Sequence, residues 1–432
     1  MPDTIPNVQL TSWREAHSFT RAEMADALCR TTTALREGLA CDEERIRRWE
    51  RGEVLWPHPP YRKALEELTG RTVEELGFVP KSKQKERQRL LMGRVVPADA
   101  MKAEAELFDT MELARMAEIS DVGPGTLEAI EEAVDLLCRA YPSADAALLR
   151  DRTKRRLKYV LDLLKGRLTL HQHRELLVQA GWLAALLGCL HYDLGQREQA
   201  EAARQAAYQM GKQTGHGELM GWAYEMSSWF ALVEGRYEEV IHAAQRGQDL
   251  AGSTSATVQL TLKEAQGYAR LGPSHQQEAR QALERGATIL GRLATPSRPE
   301  HHFVFDHSKW IFYASTIYTW LDDNDRAEEH AREIITRHSR DDGASDAPMR
   351  TADARINLGM IHARRGDLDA AVQEGLSAFD YDRQNYDLAA RGEDLADILG
   401  ERFPTEPLTA QFHELLIAAR DALRRNRPES LG

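Results

Sequence analysis

Cysteine is scarce in this chain: four residues in 432, Cys29, Cys41, Cys138 and Cys189, lie far apart with no Cys-x-x-Cys pair. That spacing excludes a disulfide framework and a cysteine-based zinc module. Long apolar runs are missing too, none approaching the ~20 residues that a membrane helix needs. The opening MPDTIPNVQL lacks a charged-then-apolar signal pattern. A cytoplasmic protein with no membrane partner is expected. Strand signals are absent: there is no period-2 alternation, no Val/Ile/Thr-rich run and no Asn-Gly turn. Neither GKT nor GKS, GxSxG or HExxH occurs. Gly123-Pro124-Gly125-Thr126 is too short to cradle a phosphate. His171 and His173 fall on different helix faces, and His301, His302 and His307 lack partners for a metal. No catalytic residue, metal site or cofactor is expected, and the chain reads as a non-enzyme.

What is present is charge, unevenly spread. Lys and Arg number 56 against 68 Asp and Glu, a net −12, which argues against a simple nucleic-acid coat. Residues 1–94 hold 17 basic against 15 acidic side chains, or +2, which leaves −14 for the rest. A slightly basic head on an acidic body points to two jobs. Between them KSKQKERQRLLMGR (81–94) reads as a solvated connector. Helical periodicity dominates on both sides of it. The expected organisation is all-α: a small helical head (1–80), a basic linker (81–102) and a helical body (103–432).

The body repeats itself. LLGCLHYDLGQREQAEAARQAAY (186–208) aligns with NLGMIHARRGDLDAAVQEGLSAF (357–379). Gly188 matches Gly359, Gly195 matches Gly366, Ala200 matches Ala371, and Ala207 matches Ala378. The first Gly and the two Ala are small positions where the helices of a hairpin approach, and the second Gly ends the first helix. Weaker copies place second-helix anchors at Val240, Ala279 and Ala327. The pattern resembles the tetratricopeptide repeat, which implies a degenerate α-solenoid. In that register the groove residues include Trp222, Glu225, Trp229, Glu264, Tyr268, Lys309 and Phe312. Aromatic walls with opposed charges suit a peptide or a small amphipathic effector; packing inside the hairpins is the competing assignment for the rings.

In the head, Thr20-x-x-Glu23 is a capping box for a helix with Met24, Ala25 and Leu28 on its inner face. Asp42 caps a further helix, EERIRRWERG, with Ile46 and Trp49 inward and four arginines (Arg45, Arg47, Arg48, Arg51) along one and a half turns. Guanidinium groups there suit phosphates and guanine edges. Local Glu43–Arg47 and Glu44–Arg48 pairs on a solvated face are the alternative.

The order FTRAEMADAL, CDEERIRRWERGE, PPYRKALEELTG, TVEELGF resembles the Cro/cI-like (XRE) helix-turn-helix family over residues 10–78. The resemblance implies that Arg21 touches a phosphate, that Glu43 and Glu44 face base edges, that Arg47 and Arg48 read bases or phosphate, and that Arg51 grips the backbone. Cys29 to Cys41 inserts about ten residues where the family has a short turn. The insertion either extends the second helix or adds a loop over the DNA through Arg30 and Arg36. Together the halves imply a homodimeric regulator of a double-stranded DNA operator, answering a small-molecule or peptide effector. The rival is a protein-interaction scaffold whose head binds DNA weakly or not at all.

Overall fold

The computed structural model describes residues 6–80, 122–340, 345–380 and 386–425. The linker expected at 81–102 lies outside the described residues. Among those described, one isolated bridge, Ser339 to Ser345, accompanies an otherwise helical chain.

The head contains α1 (Val8–Ala16), α2 (Arg21–Cys29), α3 (Thr32–Glu37), α4 (Glu43–Glu50) and α5 (Pro59–Thr69). Thr20 and Glu23 close the capping box at α2, and the Asp42 side chain accepts from Arg45 N at α4. The insertion neither lengthens α2 nor forms a loose loop. It makes the separate helix α3, capped by Thr31 and ended by Gly38 at φ +65°. Glu67 on α5 accepts from the backbone N–H groups of Thr32 and Thr33 at 2.6 and 2.9 Å, so the first turn of α3 is tied to α5. Met24, Leu28, Ile46, Trp49 and Leu65 share one core with Leu10 and Trp13 of α1.

The body runs from α6 (Pro124–Ala140) and α7 (Ala146–Leu163) into hairpins: α8 (Leu170–Asp193) with α9 (Arg197–Thr214), α10 (Gly217–Val233) with α11 (Tyr237–Ala251), and α12 (Ser255–Arg270) with α13 (Gln276–Arg292). α14 (His307–Trp320) pairs with α15 (Asn324–His338), α16 (Pro348–Arg365) with α17 (Leu368–Ala378), and α18 (Tyr386–Arg402) with α19 (Pro407–Arg425). This is a degenerate tetratricopeptide-like α-solenoid.

The hairpins share a backbone contact that explains the aligned positions. A Cβ added to Gly188 would sit 3.4 Å from Ala200 O, and one on Gly359 would sit 3.0 Å from Ala371 O. Where the glycine is replaced, Ser228 donates to Val240 O at 3.2 Å and Ser315 to Ala327 O at 3.3 Å. Either no side chain or a hydroxyl that bonds the carbonyl meets the need for close approach. Gly195 and Gly366 end their helices at φ +70° and +88°, the left-handed region that glycine enters without cost.

α8 is long and apolar enough to cross a membrane by length and composition, yet it lies in the body's core. The inner helices α8, α10, α12, α14, α16 and α18 pack in succession, and α18 returns to α8 and α10. At that closure Tyr386 lies over Gly195. The inner helices therefore form a ring rather than an open trough.

Candidate functional site

A cavity of about 830 Å³ fills the ring, within the ~300–1,000 Å³ range usual for ligand sites. Trp222, Glu225 and Trp229 of α10 and Lys309 and Phe312 of α14 line it, as do Gln259, Lys263, Gln266 and Arg270 of α12. Asp353 of α16 and Asp387, Arg391 and Asp394 of α18 complete its far side.

Two residues expected in the groove are elsewhere. Glu264 turns between the outer helices, where Gln245, Gln248 and Arg285 hold it at 3.1, 3.0 and 2.9 Å. Tyr268 stacks on His275 and packs against the core. The reason is register. A 3-10 turn, Pro273–His275, lengthens the α12–α13 hairpin, so counting back from Ala279 by the spacing of the other hairpins stops one residue short. The cavity face of α12 comes one residue earlier, at Lys263 in place of Glu264.

Lys309 lines the cavity, but its ammonium is spent inside the protein. Nζ donates to the carbonyls of His302 at 2.8 Å, His301 at 3.4 Å and Val304. Burial, then Arg350, lowers its pKa to about 7. It staples the 301–304 segment instead of offering a free charge.

In the cavity wall two guanidinium groups lie over the Trp320 ring, Arg270 at 5.1 Å and Arg391 at 4.6 Å from its centre. Asp394 accepts from Arg270 and Arg391 at 2.8 Å each and from Trp320 Nε1 at 3.2 Å. Glu225 accepts from Gln259 Nε2 at 2.9 Å and lies 3.7 Å from Lys263 Nζ. The wall thus combines aromatic faces with charges locked in place by one another. Asp353 was legible in the sequence: it precedes Gly359 by the interval that separates Trp222 from Ser228 and Lys309 from Ser315. Gln259 and Lys263 were hidden by the register change, and Asp387 and Arg391 by the absence of a repeat signal in α18.

A second polar site joins head and body. α1 lies on α13 and α14; Val8 enters the body's core, and Gln9 Nε2 donates to Ala287 O at 3.4 Å. Glu15, 1% exposed, accepts from the Tyr318 hydroxyl, lies 3.5 Å from His330 Nε2 and 3.3 Å from Arg14 Nη2. Burial pushes Glu15 up, but His330, Arg14 and Tyr318 outweigh it and hold the carboxyl down at about 2. The same contact raises His330 against the opposing effect of its burial. Arg14 continues the chain to Glu50 at 2.5 Å, at the end of α4, and Glu50 also takes Arg21 at 2.6 Å.

Arg21 is therefore not presented to a phosphate here, because Glu50 and Glu329 enclose its guanidinium. On α4, Arg47 pairs with Glu43 at 2.8 Å and Glu44 at 2.7 Å, and Arg48 with Glu53 at 3.1 Å. Arg45 lies over the Tyr61 ring at 4.7 Å. Arg51, exposed, forms the helix C-cap.

No protein-family model matches the chain, and no curated protein matches it. Among solved structures it is similar to a Rap protein complexed with the competence and sporulation factor, at 13% identity and TM-score 0.49, over 97% of this chain and 99% of that one. It is also similar to the apo form of the quorum sensor NprR from B. thuringiensis, at 12% identity and TM-score 0.36, over 79% and 100%.

α14 serves both sites. Lys309, Phe312, Tyr313, Thr316 and Trp320 face the cavity, while Tyr318 on the same helix bonds Glu15 of the head.

Proposed function

We propose that the protein is a DNA-binding transcriptional regulator whose solenoid cavity senses a small molecule or peptide. Residues 1–80 would form the reading head, 81–102 the linker, and 103–432 the sensing and dimerising body. The observation that carries this reading is the shared helix. A ligand that displaces α14 acts on Tyr318, and through Glu15, Arg14 and Glu50 on the end of α4. Such a chain of ion pairs at a packed junction can hold two arrangements, and a ligand shifts them by its differential affinity. Reciprocally, DNA shifts ligand affinity by the same factor.

In the reading geometry α4 lies in the major groove, as the helix-turn-helix pattern implies. Glu43, Glu44, Arg45, Arg47 and Arg48 approach bases or phosphates, and Arg51 approaches the backbone. Ion pairs on exposed faces such as Arg47–Glu43 are worth little and exchange readily for phosphate. Parting the head from Glu329 removes one of the two carboxylates that hold Arg21, and a phosphate would compete with Glu50 for the guanidinium. One head buries little DNA, so a homodimer on two half-sites supplies affinity and specificity.

The test is a salt-dependent binding assay on the protein's own promoter. Arg48→Ala is expected to lose about 1–3 kcal/mol on the specific site, and Arg51→Ala to weaken all sequences alike. Sequence-blind retention by the wild type, with equal small losses in both variants, would favour the scaffold instead. Light scattering that shows a monomer both free and on DNA would remove the dimer.

A further inference from the structure

Several polar atoms in the cavity wall have no partner within the protein. Asp353, 8% exposed, lines the cavity from α16, and its Oδ1 makes no hydrogen bond. Gln259 gives its Nε2 to Glu225, which fixes the amide and leaves Oε1 as the unmet atom. Gln266 Oε1 is unmet as well. All three groups are acceptors, and all three residues are more than nine-tenths buried. An unmet buried acceptor is expensive, and a carboxylate is the most expensive kind.

Most of the cations nearby are engaged by acceptors of the protein; Arg350, three residues before Asp353 on α16, gives its Nη1 to Ser308 Oγ at 3.3 Å. Lys263 faces Glu225, Lys309 is held by three carbonyls, and Arg270 is held by Asp394. Arg391 is bound to Asp394 and Asn357, with its Nε unpartnered. No ion pair reaches Asp353 among the described residues. The Phe312 ring lines the same cavity, and aromatic faces attract cations, as the Tyr313 ring does with Lys263 Nζ at 5.4 Å from its centre.

Resting on the ligand-sensing reading above, we infer that the cavity takes a ligand bearing a cationic nitrogen, an ammonium or guanidinium, seated against Asp353. Its remaining N–H donors meet Gln259 and Gln266. The group belongs either to a basic peptide side chain or to a free organic amine; the chemistry recognised is the same.

The protonation of Asp353 agrees with this. Burial, then the charge of Asp387, raises its pKa to about 7, while Arg391 and Lys263 oppose the shift. These groups reach it from α18 and α12. A bound cation favours the ionised carboxylate, so binding releases a proton near neutral pH and weakens as pH falls below about 7.

The experiment uses the full chain and two matched pairs of probes, read by isothermal titration calorimetry. One pair is pentapeptide pools identical except for a fixed arginine or its neutral isostere citrulline. The other is tryptamine and its neutral analogue tryptophol. The cationic member of at least one pair is expected to bind about tenfold or more tighter, and the pair that discriminates identifies the source. In Asp353→Asn the preference should fall below about threefold. That variant removes a buried unpaired charge and should melt no lower than wild type. If it does not fold, Asp387→Asn takes its place: without that neighbouring charge Asp353 ionises at lower pH, so the pH below which binding of the cationic probe weakens should move down from about 7, and an unmoved pH dependence overturns the inference. Binding without charge preference, or preference for the neutral members, overturns the inference and leaves the cavity a ligand site. No binding by any of the four probes overturns the ligand-sensing reading and this inference with it.

Discussion

Glu15→Gln isolates the charge at the junction between head and body. The side chain keeps its shape, and its amide oxygen still accepts from Tyr318, so only the ionic part of the contact is lost. A carboxyl held at about 2 instead of its ordinary 4.5 carries about 3 kcal/mol of stabilisation at neutral pH. Part of that returns in the variant. His330 can shed its proton once the carboxylate is gone, and Arg14 keeps Glu50 at 2.5 Å. A net loss of about 2 kcal/mol is expected, which corresponds to about a thirtyfold larger open population. Hydrogen exchange of the α1 amides measures it directly, because α1 is clamped between the head core and α13–α14. Exchange in Val8–Trp13 should rise by that factor, while the α8–α9 hairpin, far along the solenoid, should not change. A rise in α1 of threefold or less, about 0.6 kcal/mol, would refute the idea that this network holds the head.

His330 gives the junction a pH dependence. Its folded pKa is raised, so its contribution is complete below its ordinary 6.5 and is lost as pH rises through the raised value. The groups facing it are Glu15, Tyr318 and Trp310, with Glu329 and Glu333 nearby. Wild type should melt above His330→Gln at pH 6, and the gap should narrow by pH 9. An unchanged gap would exclude a charged His330. Gly359→Ala places a methyl 3.0 Å from Ala371 O and 2.9 Å from Leu395, so thermal unfolding should show a loss of about 1–3 kcal/mol. A neutral result would mean that the α16–α17 hairpin can open at that contact. Trp229→Ala with Phe312→Ala strips two half-buried rings from the cavity. Ligand response should vanish while unliganded DNA binding stays near wild type; unfolding of the double variant would instead assign those rings to the core.

Local rules made part of this protein legible in its sequence. Thr20 with Glu23, and Asp42, mark helix starts because a cap needs only the first turn of its own helix. The Gly188–Ala200 and Gly359–Ala371 pairs mark hairpins because the contact lies within one repeat. From such spacing the all-α class, the solenoid and five residues of the cavity wall could be read. Other features depended on contacts between distant segments. The face of α12 moved by one residue because the Pro273–His275 turn reset its register, and one residue on a helix is 100° of rotation. Arg21 looked free for a phosphate because nothing near it in sequence announces Glu329 on α15. Lys309 looked like a ligand contact because the carbonyls that take its charge sit in an irregular segment. Closure of the ring by α18 and the clamping of α1 on α13 and α14 bring together residues hundreds of positions apart. Periodicity specifies which face of a helix is apolar; it carries no information about which distant face that one meets, and only the tertiary structure decided that.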